Sequence, residues 1–279
     1  MNVLKIAAFS DGDSGGNPAG VVLCETLPDG QEMQAVAADV GFSETAFAAL
    51  EEGGEIWRVR YFSPESEVPF CGHATIALGA ALAEKFGPKK YMLRLNDAEI
   101  SVEGEPAEDQ YAAALQSPPT RSEPLDEAEI EATLALFGYT RAQLDENIPP
   151  ARMHGGADHY IVALKNRNDL SAMNYSLNSG RQFMKNRDLV TIMFVWQEDE
   201  KHFHARNAFA SGGVLEDPAT GAAAAAFSGY LRDINWPHGA KITIIQGEDM
   251  GSRSVITADI GDDVRSSIRI SGATRRMVA

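Results

Sequence analysis

The chain has 279 residues, of which 44% are hydrophobic, and this is enough to bury a large core and to build two domains. Its formal net charge is −16 and its pI is about 4.8. Nucleic-acid phosphates and anionic membrane surfaces repel such a protein, so the composition argues against both as partners.

Signals for secretion or membrane insertion are not found in the sequence. Residues 1–6 run directly into a predicted strand, without the long apolar stretch of a signal peptide. No segment approaches the roughly 20 apolar residues that a membrane helix needs. The two cysteines, Cys24 and Cys71, are too few for a disulfide framework and are typical of a reducing compartment. We therefore expect a cytoplasmic protein without a membrane anchor.

The first part of the chain predicts short strands around a buried helix. In chain order the patterns indicate strands at 3–9 and 21–24, a helix at 29–40, strands at 45–50 and 56–62, a helix from 72 to 86, and strands at 91–95, 99–103 and 111–116. The helix that begins at Gly72 is almost wholly small or apolar, and a helix that is apolar all round is buried. Gly87 and Pro88 end it.

A proline-rich junction at 117–124 predicts a domain boundary, with one domain at 1–117 and the other at 118–279. The second part predicts an acidic helix at 126–137, strands at 160–164, 189–196 and 202–209, a small-residue helix at 222–231, and strands at 242–246, 254–260 and 266–270. Both parts thus share one plan, which indicates a duplication. We expect two domains, each a curved sheet around one central helix, with the final strand able to pack back on the first domain.

The two buried helices begin with small residues. The first turn of a helix presents unpaired N–H groups and about half a positive charge, and small residues let an anion approach that backbone closely. Gly72 and Ala74 provide this in one half, and Thr220, Gly221 and Ala222 provide it in the other. The pattern predicts carboxylate binding at the two helix openings, and ordinary capped helix starts are the alternative.

Two titratable residues lie beside these glycine-rich segments. Glu44 follows the end of a predicted helix. Shielding of its carboxyl by Phe42 and Phe47 would raise its pKa, so that it could act as a general acid or base near neutrality. A solvated turn glutamate is the alternative. His73 lies in the first turn of the buried helix, where the dipole favours a neutral ring that can accept or pass a proton. A histidine satisfied by a backbone carbonyl is the alternative there.

Asp217 and Cys71 each precede a buried helix. Asp217 suits a helix cap as well as a functional carboxylate. Cys71 lies where a thiolate is favoured, although a buried structural cysteine is the commoner case.

The sequence predicts neither a metal nor a cofactor. His202 and His204 share a strand face without a third ligand nearby, which makes a poor zinc site. The glycine-rich segment 12–20 fits neither the dinucleotide nor the phosphate-loop pattern, and no nucleophile elbow occurs.

Six ordered segments of the chain resemble the PhzF-like family of phenazine biosynthesis, which shares its fold with diaminopimelate epimerase. The segments are GNPAG at 16–20, SETAF at 43–47, YFSP at 61–64, EVPFCGHAT at 67–75, DPATG at 217–221 and QGEDMG at 246–251. Together they span almost the whole chain.

This resemblance implies a metal-free, cofactor-independent isomerase with an α/β (α+β) fold. It implies two similar diaminopimelate-epimerase-like domains, each a barrel-like, mostly antiparallel sheet around a central helix, with the active site in the cleft between them and a homodimeric assembly. Glu44 is then the acid/base that removes and returns a proton, and His73 and Asp217 line the same cleft. The resemblance places Gly72, Thr220, Gly221 and Ala222 at the helix openings and Asn17 and Gln246 near the substrate.

The chain departs from the family pattern at two positions. The phenazine enzyme has serine where this chain has Ala222, so a hydroxyl contact used in isomerising a dihydro-hydroxyanthranilate is missing. The related epimerases use one cysteine from each domain. Cys71 matches the first, but Pro218 stands at the second, which excludes a two-thiol racemase and leaves one-base chemistry through Glu44.

Three functional hypotheses follow. The leading one is proton-transfer isomerisation or epimerisation of a small carboxylate, in which the helix openings stabilise the developing enolate-like charge. A second makes Cys71 a nucleophile with His73 as its base, and it is disfavoured because adjacent positions of one helical turn rarely face each other. The third is a small-molecule-binding or protein-interaction scaffold without catalysis. The identity of the substrate is not given by the sequence.

Overall fold

The computed structural model describes residues 1–107 and 110–277 of the protein. Its backbone divides into two compact units, one formed by Met1–Gln116 with the C-terminal segment from Ser271, the other by Ser117–Ile270. The strands are β1 Leu4–Ala8, β2 Asn17–Cys24, β3 Glu44–Leu50, β4 Ile56–Phe62, β5 Glu67–Val68, β6 Lys89–Arg94, β7 Glu99–Ala107, β8 Gln110–Gln116, β9 Arg121–Pro124, β10 Ala151–His154, β11 Asp158–Leu164, β12 Thr191–Gln197, β13 His202–Ala208, β14 Glu216–Asp217, β15 Lys241–Gln246, β16 Ser254–Asp259 and β17 Arg269–Arg276.

The helices fall into two kinds, central and peripheral. The α-helices are α1 Gly30–Val40, α2 Gly72–Phe86, α3 Glu127–Phe137, α4 Arg167–Ser171, α5 Leu177–Lys185 and α6 Gly221–Asp233. Among the described residues, no helix has both the length and the apolar character needed to cross a membrane. The two helices predicted to be buried, α2 and α6, are buried over nearly their whole length.

In the first unit, eight strands close into a barrel around α2. The strands follow one another in the order β1, β2, β3, β4, β6, β7, β8 and β17, and residues of β17 pair antiparallel with β1 to close the ring. The β2–β3 and β4–β6 pairs are parallel and the other described pairs are antiparallel. The helix approaches β7 so closely that a Cβ on Gly79 would lie 2.4 Å from Val102 Cγ2, so glycine is required there.

The second unit repeats the pairing pattern of the first around α6. Its sheet runs β9, β10, β11, β12, β13, β15 and β16, with parallel pairs at β11–β12 and β13–β15 and antiparallel pairs elsewhere. A two-residue strand lies before the central helix in each unit, β5 before α2 and β14 before α6. This correspondence is the structural form of the duplication that the sequence predicts. It confirms a mixed α/β fold of barrel-like sheets around central helices.

The peripheral helices cover the outer faces of the sheets. Asp29 caps α1 by accepting the Glu32 N–H at 2.9 Å, and Gly41 ends the helix with a φ of +71°. In the second unit, α3, α4 and α5 pack on an apolar layer that includes Leu134, Tyr160 and Phe194.

Five elements of the second unit, α4, α5, β9, β10 and the two-residue β14, were not predicted. The segment of α5 is polar and contains Gly180, which weakens any helical pattern. That glycine is required by packing, because its Cβ would lie 2.2 Å from the Tyr175 ring.

Several strands differ from their predicted bounds, and in two of them pairing with β1 is the cause. β2 begins at Asn17, because Asn17 and Pro18 pair with Ala8 and Ala7 of β1. The last strand covers Arg269–Arg276 and not 266–270, since pairing with β1 extends it through residues of low strand propensity.

Candidate active site

Glu44 is the first residue of β3 in the first unit and lies beside Ala19 of the parallel strand β2. Its side chain is 12% exposed. The predicted shielding by Phe47 is wrong, because residues three apart on a strand point to opposite faces. Phe47 packs with Met33 and Ala37 of α1, whereas the Glu44 carboxylate faces the start of α2.

A buried relay of hydroxyl groups holds the start of α2. Thr75 donates its hydroxyl to the Cys71 carbonyl at 2.7 Å, and Tyr61 of β4 lies 2.7 Å from Thr75 Oγ1. Since the Thr75 proton is directed at the carbonyl, the Tyr61 hydroxyl is the donor in the second bond. Burial raises the pKa of Tyr61 far above its usual value, so this donor keeps its proton.

Glu44, Cys71 and His73 form one cluster, in which a donor atom from each lies within 4.8 Å of the others. His73 Nε2 is 3.4 Å from Glu44 Oε2 and 3.4 Å from Ser43 Oγ, and His73 Nδ1 is 3.3 Å from Cys71 Sγ. Both Cys71 and His73 are buried. Among the described residues, these three side chains are the histidine, cysteine and carboxylate donors that lie close enough together to hold a metal ion. The sequence did not predict this cluster.

The contact between Cys71 and His73 contradicts the argument that their side chains do not face each other. Cys71 is the N-cap of α2 and has extended backbone angles, φ −142° and ψ 116°. The spacing rule for residues within a helix therefore does not apply to it.

Burial raises the pKa of Glu44, and side-chain hydrogen bonds with Ser43 and Cys71 partly oppose that rise. A carboxyl whose pKa moves toward neutrality can serve both as the base that takes a proton and as the acid that returns it. The sequence also predicted a raised pKa for Glu44, although the residue that shields the carboxyl is not Phe47.

The remaining predicted residues of the first unit are buried. Gly72 and Ala74 lie in the first turn of α2, and Asn17 begins β2 opposite Ala8 with 2% exposure. The N-cap Cys71 makes no side-chain cap hydrogen bond, in contrast to Asp29 at α1. The opening of α2 therefore lacks the side-chain cap that an ordinary capped start would have.

A second group of predicted residues lies in the second unit at the start of α6. Thr220 is the N-cap, makes no cap hydrogen bond with its side chain, and donates its hydroxyl to Asp217 Oδ2 at 2.5 Å. Gly221 and Ala222 follow in the first turn. Asp217 is thus not the N-cap residue, and it accepts a hydrogen bond from Thr220, which holds that position.

Gln246 ends β15 and organises this second group. Its Nε2 donates to Asp217 O at 2.7 Å and to Thr220 Oγ1 at 3.2 Å. Its Oε1 accepts from Thr220 N at 3.3 Å and from Asn207 Nδ2 at 3.3 Å. A glutamine amide has two donor hydrogens and two acceptor positions, so these four bonds use all of them. These bonds give the side chain a positioning role, and the predicted contact of Gln246 with substrate stays a prediction.

Two residues near this group were not predicted. Asn207 on β13 is fully buried and supports Gln246, and a polar residue within a strand pattern gives no sign of that role. Gly247 has a φ of +78°, and a Cβ there would lie 2.4 Å from Ser252 O and 2.8 Å from Pro218 O. Only glycine therefore lets the turn after Gln246 pack against the turn before α6.

The two histidines rejected as zinc ligands have other partners. His204 Nδ1 lies 2.5 Å from Glu248 Oε2, and His202 Nδ1 lies 2.8 Å from Asp199 Oδ2. A cavity of about 580 Å³ lies in the first unit at the opposite end of α2, lined by Ala81, Lys85 and other residues, and none of the predicted site residues borders it.

Comparison with known proteins gives consistent matches over the whole chain. The family model for the phenazine biosynthesis-like protein (PhzC-PhzF) matches residues 6–278. A trans-2,3-dihydro-3-hydroxyanthranilate isomerase from Pseudomonas aeruginosa is 30% identical, with 96% of this chain and 94% of that protein covered. The uncharacterized isomerase YfhB of Bacillus subtilis is 28% identical, with 93% of this chain and 90% of that protein covered.

The fold is also found among solved structures. A crystal structure of a phenazine biosynthesis protein of the PhzF family from Bacillus anthracis superposes with a TM-score of 0.87. It has 24% sequence identity, and the match covers 100% of this chain and 98% of that one.

Proposed function

The chain belongs to the phenazine biosynthesis-like PhzF family and is an isomerase, and from this premise we propose that it transfers a proton on a small carboxylate-bearing metabolite without a cofactor. The observation that carries the proposal is the buried Glu44 carboxyl, 3.4 Å from His73 at the start of α2. Glu44 is the acid/base in this scheme.

The proposed reaction begins with Glu44 removing a proton from a carbon that conjugation or an adjacent carboxylate activates. The electron pair of that C–H bond delocalises into the substrate, and Glu44 becomes the neutral acid. The proton returns to a different carbon, or to the other face of the same carbon, so that substrate and product are isomers. The raised pKa of Glu44 supports both steps, because the ionised carboxylate is then a stronger base than an exposed glutamate and the protonated acid is still able to return the proton.

His73 is the proposed second participant in the first unit. Its Nε2 lies close enough to Glu44 Oε2 to exchange a proton after a small side-chain movement. The ring can then deliver that proton at a position that Glu44 does not reach. Asp217 remains a predicted participant on the basis of the family resemblance, and Asp217→Asn tests it by the same assay.

The developing negative charge requires stabilisation, and the first turn of α2 is the proposed source. Backbone N–H groups of Gly72, His73 and Ala74 lie at the positive end of this helix, and the side chain of the N-cap residue Cys71 makes no cap hydrogen bond. Fixed dipoles of this kind stabilise the transition state of proton abstraction, where the negative charge develops, more than they stabilise the bound substrate. The openings at Thr220, Gly221 and Ala222 and the contacts of Asn17 and Gln246 are proposed to bind substrate.

The substrate class is proposed from chemistry. The named substrate of the Pseudomonas relative carries a carboxylate, as an anthranilate does. The chain has a net charge of −16, so local backbone dipoles have to attract the carboxylate against the overall field. Cytoplasmic location and a homodimer belong to the same proposal, and the two free cysteines support the first of these.

Solvent deuterium exchange tests the proposal. Wild-type protein, Glu44→Gln and the matched control Glu55→Gln, at an exposed glutamate, are incubated in D₂O with cyclic and acyclic carboxylates and followed by mass spectrometry. We expect deuterium incorporation by the wild type and the control and its loss in Glu44→Gln. Incorporation by Glu44→Gln at the wild-type rate would refute the role of Glu44. Ligand binding without exchange by any variant would indicate a scaffold.

A further inference from the structure

A cavity of about 580 Å³ lies at the C-terminal end of α2, and binding sites for small molecules commonly have this size. It is bordered by the last turns of α2, the start of β1 and the ends of β2 and β17. The proposed active-site residues Glu44 and His73 lie at the opposite end of α2 and do not border it. A ligand in this cavity would therefore occupy a second site of the first unit.

Much of the lining of this cavity is aliphatic. Leu4, Val22, Leu23, Pro28 and Ala81 border it, and no aromatic side chain does so among the described residues. A wall of this kind suits a flexible hydrocarbon chain and has no ring against which a planar ligand could stack. Each methylene group that such a wall buries strengthens binding by up to about fourfold.

The charged residues of the lining are Glu84, Lys85 and Arg276. Arg276 donates from Nε and Nη2 to Glu84 Oε2, at 3.1 and 2.8 Å, and this pair does not use the Nη1 donors of the guanidinium. Lys85 Nζ lies 5.2 Å from the centre of the Phe86 ring, and no ion pair joins it to a carboxylate of the described residues. Two cations and one carboxylate leave the lining with an excess of positive charge, in a protein whose net charge is −16.

The local field decides where in the cavity a negative charge is tolerated. The C-terminal end of a helix carries partial negative charge, which at α2 is offset by Lys85 in the last turn and by the Tyr91 hydroxyl, which donates to a carbonyl of that end at 3.0 Å. Near Cys24 a negative charge is disfavoured, because burial and the Glu32 carboxylate raise the pKa of the thiol. The polar end of a ligand therefore belongs at Lys85 and Arg276, and its apolar part extends toward Cys24.

We propose that this cavity binds an aliphatic monocarboxylate of medium chain length. Its carboxylate accepts hydrogen bonds from Lys85 Nζ and Arg276 Nη1, and its chain lies along Leu4, Val22 and Leu23. A single negative charge matches the excess positive charge of the lining, and a second one would exceed it. The proposal does not depend on the proton-transfer function, because the two sites lie at opposite ends of α2.

Calorimetric titration of the wild type compares octanoate with two ligands of the same chain length, the uncharged octanamide and the cationic octylamine. Because an exposed charge pair contributes little to binding, we expect octanamide to bind about three- to fivefold more weakly than octanoate, and octylamine to bind more weakly still. Equal affinities for octanoate and octanamide would overturn the assignment of a carboxylate ligand.

The two cysteines report where octanoate binds, since Cys24 borders the cavity and Cys71 lies in the proposed active site. Wild-type protein is alkylated with iodoacetamide at rising octanoate concentrations, and mass spectrometry follows each thiol separately. We expect octanoate to slow the alkylation of Cys24, with the dissociation constant found by calorimetry, and to leave the rate at Cys71 unchanged. An unchanged rate at Cys24, with or without protection of Cys71, would overturn the site.

Two variants test the cavity itself, and circular dichroism shows whether each of them folds. Lys85→Gln is expected to weaken octanoate binding about three- to fivefold and to leave octanamide binding unchanged. Its matched control is Lys90→Gln, at an exposed lysine outside the lining, which is expected to change neither. Thr26→Trp places a large ring at an exposed position of the lining and is expected to abolish the protection of Cys24. Protection that survives in Thr26→Trp, or equal octanoate binding by Lys85→Gln and Lys90→Gln, would contradict the proposal.

Discussion

His73 Nε2 lies 3.4 Å from Glu44 Oε2, and these atoms come from two elements far apart in the chain. Glu44 begins β3, which pairs in parallel with β2, and His73 lies in the first turn of α2. The barrel thus buries a carboxyl beside an imidazole at a helix start that lacks a side-chain cap. A buried carboxyl of this kind lowers stability when it is ionised, and this cost has a measurable dependence on pH.

The pH dependence of unfolding is expected to contain a term from Glu44. Burial raises the pKa of Glu44 above the ordinary value of 4.5 for a glutamate. Between the unfolded and the folded pKa the native state holds the extra proton, so its stability falls as pH rises through that window. Glu44→Gln has no such proton. We therefore expect the variant to gain stability relative to the wild type as the pH rises from below 4.5 toward neutrality.

Urea unfolding of wild type, Glu44→Gln and Glu55→Gln across this pH range measures the effect. The exposed control is expected to follow the wild type. A stability difference between Glu44→Gln and wild type that does not change with pH would show that the pKa of Glu44 is not raised.

The hydroxyl relay from Tyr61 is expected to matter for both stability and catalysis. Tyr61→Phe removes a buried donor to Thr75, and a hydrogen bond of this kind contributes about 0.5–1.5 kcal/mol to the free energy of unfolding. Thr75→Val is expected to cost more, about 1–3 kcal/mol, because it leaves the Tyr61 hydroxyl buried without a partner.

Both changes are measured by urea unfolding, with Tyr111→Phe as a control for loss of a phenol hydroxyl. Because the relay fixes the Cys71 carbonyl at the helix start, we also expect a lower exchange rate at saturating substrate in Tyr61→Phe. Equal stability of Tyr61→Phe and Tyr111→Phe would contradict the relay.

The sequence predicted the central helices better than it predicted the contacts among the site residues. The patterns at 72–86 and 222–231 are mostly apolar or small, so α2 and α6 were recognisable without tertiary information. The family segments contained Ser43, Tyr61 and Thr75, but a segment match does not show that the three residues support His73 and Cys71.

Other features could not be obtained from one sequence. Tertiary packing holds the polar helix α5, through the contact of Gly180 with Tyr175, and propensity alone argues against this helix. The extended backbone of Cys71 turns its side chain toward His73, and the helical spacing rule gave the opposite answer. The support of Gln246 by Asn207 depends on which strands are neighbours, and β13–β15 pairing is non-local.

Gln246 and Asn207 are expected to act as one unit. Gln246→Leu removes four hydrogen bonds, two of them between buried groups, so it is expected to cost at least about 2 kcal/mol. Asn207→Leu removes one of these bonds and is expected to cost about 1 kcal/mol. Loss of Asn207 Oδ1 adds no cost, because this atom has no hydrogen-bond partner among the described residues.

A double-mutant cycle measures the coupling of the two residues. Since they share a hydrogen bond, we expect a coupling energy above about 0.5 kcal/mol. Independent, additive effects would contradict the arrangement. If Gln246 contacts substrate as the family resemblance implies, the variant will also raise KM, and if it only positions the turn before α6, the exchange rate at saturation will fall with KM unchanged.

Ala222 offers a direct test of substrate preference. The family resemblance implies a serine at this position in the phenazine enzyme, and Ala222 is partly exposed in the first turn of α6. Ala222→Ser restores that donor at a site already built from Thr220 and Gly221. One hydrogen bond contributes about 1 kcal/mol, so we expect roughly a fivefold gain in kcat/KM for trans-2,3-dihydro-3-hydroxyanthranilate if the enzyme has measurable activity on it.

The control is Ala225→Ser, one turn further along α6 and fully buried, which is expected to bring no gain. Rates are measured on trans-2,3-dihydro-3-hydroxyanthranilate and on the carboxylate that gives the fastest exchange with the wild type. A gain on the first substrate alone shows that this position selects the substrate, because a general effect on helix stability would change both rates together. Equal changes on both substrates, or no change in either, would mean that the missing hydroxyl does not determine what the enzyme isomerises.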